Sequence, residues 1–132
     1  MIITFIIYGL IGLGMEVFWT GLGSLIKKDF RATSKTSIWM FFIYGSAALF
    51  TPVINLLNPL PMLIRGLVYT SCIFLIEYSV GMLLKKLKAC PWDYSASKFS
   101  IQGVIRLDYM PVWFVVGLVF EFSYLYFIYF IR

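Results

Sequence analysis

Four long apolar stretches take up most of this chain, and they constrain its fold more than any other feature. The hydrocarbon core of a bilayer is about 30 Å thick and needs roughly 20 helical residues to span it. The stretches reach this length at approximately residues 2–26, 37–57, 62–84 and 108–131. A helix satisfies its backbone polar groups internally, as lipid requires. The pattern predicts an all-α membrane protein, a bundle of four transmembrane helices in one domain over residues 1–132.

The composition argues against a soluble domain. Charged residues make up 13% of the chain, whereas soluble domains carry about 25%. The first stretch begins without Lys or Arg and exceeds the apolar core of a signal peptide, about 7–15 residues, so we expect a retained helix. The predicted setting is therefore integral and multi-pass, with the lipid bilayer as the first partner. If the source is bacterial, this is the cell membrane.

Positive charge is concentrated in two of the three connections between the stretches. The first basic connection, residues 27–36, contains four cationic residues: Lys27, Lys28, Arg31 and Lys35. The second basic connection, residues 85–107, contains five: Lys85, Lys86, Lys88, Lys98 and Arg106. By the positive-inside rule both face the cytoplasm, which places both termini on the non-cytoplasmic side. The same bias accounts for the net charge of +5, so we expect no nucleic-acid partner.

Four charged residues fall inside the predicted helices, where an ionised side chain costs about 2.5–3.5 kcal/mol on insertion scales. They are Glu16 in the first helix, Arg65 and Glu77 in the third, and Glu121 in the fourth. Arg65 lies about 18 Å along its helix from Glu77, so we expect it to reach Glu121 or Glu16 instead. These four residues are the predicted ligand-binding or pathway residues.

At 100° per residue, each acid shares a helix face with small residues. These small residues are Gly9, Gly12 and Gly23 in the first helix, Gly66 and Gly81 in the third, and Gly117 in the fourth. Small residues let membrane helices approach closely. The acids are therefore expected to point into the bundle or toward a second copy of the chain.

The second basic connection contains an unusual motif. Residues 89–95 read Ala-Cys-Pro-Trp-Asp-Tyr-Ser. The predicted motif at the cytoplasmic interface consists of Cys90, Pro91, Trp92, Asp93, Tyr94 and Ser95. In such a turn Asp93 accepts hydrogen bonds from backbone N–H groups, or it acts as a gate or as a cation ligand together with Glu77.

This motif resembles the ACPWDYS signature of the transmembrane protein 229 family, which belongs with bacterial membrane proteins labelled type IV ABC-transporter (CmpB-like) proteins. The resemblance continues in S-I-W…F-I-Y-G from Ser37, in L-I-R…Y-T from Leu63 and in L-D-Y…W-F from Leu107. The four intramembrane charged residues also fit positions of the family pattern. The resemblance implies a shared fold and a transporter label, without a specific activity.

The sequence offers few ligands for a metal or cofactor. It contains no His, and its two cysteines, Cys72 and Cys90, lack the spacing of a metal site. It also lacks the phosphate-binding pattern G-x-x-x-x-G-K-[ST], so an ATPase would be a separate chain. We expect no cofactor and leave a metal site open.

Three functions fit these features. The favoured one is a channel or carrier for a small cationic solute or ion, because three membrane acids stand against one arginine. Four helices enclose little space, so the protein is expected to act as a homo-oligomer. The alternative is a non-catalytic membrane subunit or lipid-binding scaffold, with or without a partner subunit, whose acids only tie helices together. A lipid-modifying enzyme that binds a divalent cation through Glu77, Asp93, Tyr94 and Asp108 is less favoured, since no nucleophile–base spacing occurs.

Overall fold

The computed structural model describes residues 1–131, except for the side chains of residues 128 and 131, and it is mostly helical. The α-helices are α1 (Ile2–Ile26), α2 (Ile38–Gly45), α3 (Thr51–Leu57), α4 (Met62–Lys86) and α5 (Met110–Ile131). The shorter elements are two 3₁₀ helices, Ser46–Phe50 and Leu107–Tyr109, and an antiparallel pair of strands, β1 (Ser100–Ile101) and β2 (Ile105–Arg106).

Four helical segments are long and apolar enough to cross a membrane. They are Ile2–Ile26, Ile38–Leu57, Met62–Lys86 and Leu107–Phe127. The prediction of a mostly helical chain with four such helices is confirmed. The bounds of α1 agree with those predicted, and α4 continues two residues beyond the predicted end.

The second segment was predicted as a single helix, but it is not one uninterrupted α-helix. Its 3₁₀ portion, Ser46–Phe50, precedes Pro52. Proline has no N–H to donate to the carbonyl four residues earlier, and its ring crowds that carbonyl. The carbonyl concerned belongs to Ala48, and it accepts hydrogen bonds from the backbone N–H of Thr51 and, at 3.1 Å, from its hydroxyl. The tighter turn thus satisfies the group that proline leaves without its helical donor.

The described chain forms two compact units, of which the first contains residues 1–52. In this unit α1 packs closely against α2 at two of its glycines, which have no side chain. A Cβ atom added at Gly12 would lie 2.1 Å from the Tyr44 ring, and one at Gly9 would lie 2.6 Å from the Phe41 ring. The chain after α1 then returns along it, because the Ser34 hydroxyl donates to the Val17 carbonyl at 2.7 Å.

The second unit begins at Val53. Arg65, near the start of α4, contacts Glu121 in the second half of α5, so the two helices run antiparallel. At the other end of α4, Gly81 admits Val104, which is 1% exposed, and the Trp92 ring. The segment between α4 and α5 therefore packs on the end of α4 as a folded element.

Candidate functional site

Arg65 and Glu121 form an ion pair between α4 and α5. The Arg65 Nε donates to Glu121 Oε2 at 3.0 Å, and its Nη1 donates to the Leu60 carbonyl at 2.6 Å. The Tyr69 hydroxyl donates to the same Glu121 oxygen. Arg65 and Tyr69 are four residues apart, which places them on one face of α4. A guanidinium and a phenol thus hold a carboxylate that is only 8% exposed, and its charge is neutralised within the unit.

Glu16 belongs to the first unit and has a different kind of partner. The Tyr44 hydroxyl of α2 donates to Glu16 Oε1 at 2.8 Å. Gly12 lies one helical turn before Glu16 and leaves the space that the Tyr44 ring occupies. The half-buried carboxylate is therefore held by a neutral hydroxyl.

Glu77 also accepts a hydrogen bond from a tyrosine. The Tyr94 hydroxyl donates to Glu77 Oε1 at 3.2 Å, and Glu77 is 8% exposed. Tyr94 comes from the ACPWDYS motif, and its backbone N–H donates to the Gly103 carbonyl at 2.9 Å. Its ring packs edge-on against Tyr109, with ring centres 5.6 Å apart, and Tyr109 packs in the same way against Trp113.

The ACPWDYS motif forms a turn that fixes Tyr94 in this position. The Trp92 Nε1 donates to the Val104 carbonyl at 2.8 Å, and the Cys90 thiol donates to the Trp92 carbonyl. Asp93 Oδ1 accepts from the Ser95 N–H at 2.9 Å, which is the turn hydrogen bond considered for it. Hydrogen bonds from Ser95, with Lys85 nearby, hold the pKa of Asp93 below its ordinary value. Pro91, within the same turn, is exposed.

The carboxylates near the end of α4 do not converge on a metal site. Asp93 is engaged in its turn, and Asp108 accepts from Arg106 Nε through both oxygens, at 2.8 and 3.0 Å. Within the part of the chain that the structure describes, no group of three or more His, Cys, Asp or Glu side chains could hold a metal ion. The arrangement of Glu77, Asp93 and Asp108 as joint ligands of one cation is therefore absent from the described residues.

The structure brings some of the predicted residues together and leaves others apart. Arg65 meets Glu121, one of the two acids considered for it. Glu77 lies about 18 Å along α4 from Arg65, and its partner comes from the opposite end of the unit. The sequence reasoning missed Tyr69 as the second donor to Glu121, although its position four residues after Arg65 was a usable signal.

Comparison with models of protein families gives a match over most of the chain. The family described as "Putative ABC-transporter type IV" matches residues 3–131 of the chain. No solved structure matches the chain. The resemblance to the transmembrane protein 229 family stays a prediction.

Proposed function

The chain belongs to this ABC-transporter family and is a small multi-pass membrane protein linked to transport, and from that premise we propose that it is a channel or carrier for a small cationic solute or ion. The observation that supports this is the chemistry of the groups that hold its membrane acids. Glu121 binds the guanidinium of Arg65, whereas Glu16 and Glu77 accept from neutral tyrosine hydroxyls. An intramembrane carboxylate that accepts a hydrogen bond from a neutral hydroxyl can bind a cation or a proton, as such acids do in ion pathways and proton relays.

The proposed arrangement in the membrane follows from the two basic connections. Both face the cytoplasm, and the termini lie on the other side. Glu77 then lies about 14 Å along α4 from the cytoplasmic end of that helix. Because four helices enclose little space, the pathway is shared between copies of the chain in an oligomer.

A non-catalytic membrane subunit is the second candidate. The observation that favours it is the ion pair of Arg65 and Glu121 with Tyr69, in which every partner serves to hold α4 against α5. The sequence also lacks a phosphate-binding loop, so an ATP-driven transporter would need a second chain. In this case the acids act in assembly.

The test is cation flux in proteoliposomes that contain the purified chain. Protons, Na⁺, K⁺ and small organic ammonium ions are compared for the wild type, Glu16→Gln and Glu77→Gln. We expect each substitution to reduce flux at least tenfold, because it removes one carboxylate of the proposed pathway with little change of shape. The matched control is the double variant Arg65→Gln/Glu121→Gln, which removes two membrane charges without altering the net charge and is expected to retain flux.

Two results would contradict transport by this chain alone. The first is a wild type that conducts none of these ions. The second is a folded Glu77→Gln/Glu16→Gln variant that conducts as the wild type does. Loss of assembly in the Gln variants, without any wild-type flux, would support the subunit.

A further inference from the structure

Each basic connection presents an exposed phenylalanine among exposed cations. In the first, Phe30 is 86% exposed, and Lys27, Lys28 and Arg31 beside it are exposed as well. In the second, Phe99 is 51% exposed, and the Lys98 Nζ lies 6.0 Å from the centre of its ring. The combination of a large apolar ring with adjacent positive charge occurs independently in the two units.

The first of these phenylalanines lies in a turn with a fixed shape. The Asp29 N–H donates to the Ser24 carbonyl at 2.9 Å, and the Ala32 N–H donates to the Asp29 carbonyl at 3.0 Å. The Ser24 hydroxyl further binds the Thr33 carbonyl at 2.5 Å. Phe30 is thus held at the tip of a closed turn just beyond the end of α1.

The second phenylalanine lies in a folded element with two distinct faces. The inner face carries Val104 and Ile105, which are 1% and 8% exposed. The outer side chains include Phe99 and Ile101, which are 51% and 40% exposed, and Leu87 at 65%. The inner face packs on α4, and the apolar side chains of the outer face are exposed.

The acids in these connections leave most of the cations available. The first connection has four cations against Asp29, which lies 3.7 Å from Arg31. The second has five cations against Asp93, whose carboxylate is engaged in its turn. Lys86, Lys88 and Lys98 are exposed, so their charges face outward.

We propose that the two basic connections bind anionic lipid headgroups of the leaflet at which they emerge, with Phe30 and Phe99 inserted among those headgroups. Each connection joins two membrane-spanning segments, and its first residues lie at or directly after the end of one of them, at the bilayer surface. Two spans separate the connections, which places both at the same leaflet. Lipid phosphates complement the lysines, and the boundary between headgroups and acyl chains accommodates the rings.

The test measures lipid retention by the full chain. The purified protein in detergent is mixed with equal amounts of phosphatidylglycerol and phosphatidylcholine, and bound lipid is counted by native mass spectrometry. The key variant is Lys86→Gln/Lys88→Gln/Lys98→Gln, and its matched control changes the same three residues to Arg. Lys85 is left intact because its Nζ donates to the Gln102 carbonyl and so supports the fold.

We expect the wild type to retain phosphatidylglycerol in preference to phosphatidylcholine. The three Gln substitutions should weaken this retention on the order of 100-fold, about fivefold per lysine, and the Arg control should keep it. Phe99→Ser should weaken retention of both lipids severalfold, whereas Phe99→Leu should retain them as the wild type does. Thermal unfolding in lipid-free detergent should be unchanged, because these side chains are exposed.

Equal retention of the two lipids by the wild type would overturn the proposal and leave an acidic protein surface as the occupant of these connections. Phosphatidylglycerol retention that survives the three Gln substitutions in a folded protein would also overturn it. Neither result depends on whether the chain conducts ions, so this inference stands apart from the proposed transport.

Discussion

Each membrane acid accepts a hydrogen bond from a tyrosine. Glu16, Glu77 and Glu121 accept hydrogen bonds from Tyr44, Tyr94 and Tyr69. A phenol suits this role because its ring packs in an apolar environment while its hydroxyl satisfies a polar group that water does not reach. At Glu121 the guanidinium of Arg65 forms an ion pair in addition to the tyrosine contact. At the residue scale, the three acids share a tyrosine donor, and the Glu121 contact also includes a guanidinium.

The ion pair allows a prediction about stability. Arg65→Gln leaves the Glu121 carboxylate in the helix interface without its cation, and we expect a loss of about 3 kcal/mol in the free energy of unfolding. Glu121→Gln keeps an acceptor for Tyr69 but leaves the arginine without its anion. In the double variant Arg65→Gln/Glu121→Gln no charge remains, so its loss should be smaller than the sum of the two single losses.

These free energies are measurable by reversible unfolding in mixed detergent micelles, as a double-mutant cycle. Single losses that simply add would show that Arg65 and Glu121 are not coupled. Tyr69→Phe serves as a comparison, since it removes a neutral donor from the same oxygen and should cost less than Arg65→Gln.

The sequence allowed the charged residues to be located but not paired. Depth along a helix follows from residue number, so Arg65 could be excluded as a partner of Glu77. Both Glu121 and Glu16 remained open, because the choice depends on which helices are neighbours. Tyr69 was missed as a donor: its spacing from Arg65 placed it on the same helix face, but the contact itself depends on the packing of α4 against α5.

At the scale of elements, long helices were predictable and short elements were not. The apolar stretches gave the bounds of α1 and α4 closely, because transmembrane length and hydrophobicity are both read directly from composition. Strands β1 and β2 have two residues each, which is too short for an alternating pattern to be recognised. Their turn also relies on Gln102 and Gly103, which both have positive φ.

The glycines of α1 show a similar division. Gly9 and Gly12 were expected to allow close helix packing, and both lie against rings of α2. Gly23 was placed on the same face, but a Cβ atom added there would meet no atom within 4 Å. Contact with α2 is therefore seen along the first half of this face and not at Gly23.

Gly12 provides the prediction for this scale, and Gly14 provides its control. Gly12→Ala would place a methyl group 2.1 Å from the Tyr44 ring, whose hydroxyl binds Glu16. We expect it to lower the free energy of unfolding by about 1–3 kcal/mol. Gly14→Ala meets no atom within 4 Å and should be neutral or slightly stabilising. Thermal unfolding of the two variants in the same detergent tests this, and equal effects would count against the close contact of α1 with α2.

At the scale of the whole molecule, the orientation in the membrane is testable by chemical labelling. Ala96 in the second basic connection and Asn58 in the turn before α4 are both exposed. In a background with Cys72→Ser and Cys90→Ser, we introduce either Ala96→Cys or Asn58→Cys. A membrane-impermeant thiol reagent applied to intact cells should label the Asn58 variant only, and permeabilised cells should allow both. Labelling of the Ala96 variant in intact cells would reverse the proposed orientation.

The contact of Tyr94 with Glu77 has a consequence for regulation. Tyr94 belongs to a segment at the end of α4, while the carboxylate that it contacts belongs to the helix itself. Anything that binds this segment better in one position than in another must change the affinity of Glu77 for any ion that it binds, and linkage makes the effect reciprocal. Ion binding at Glu77 and the conformation of the segment at the membrane surface would then influence each other through this single hydrogen bond.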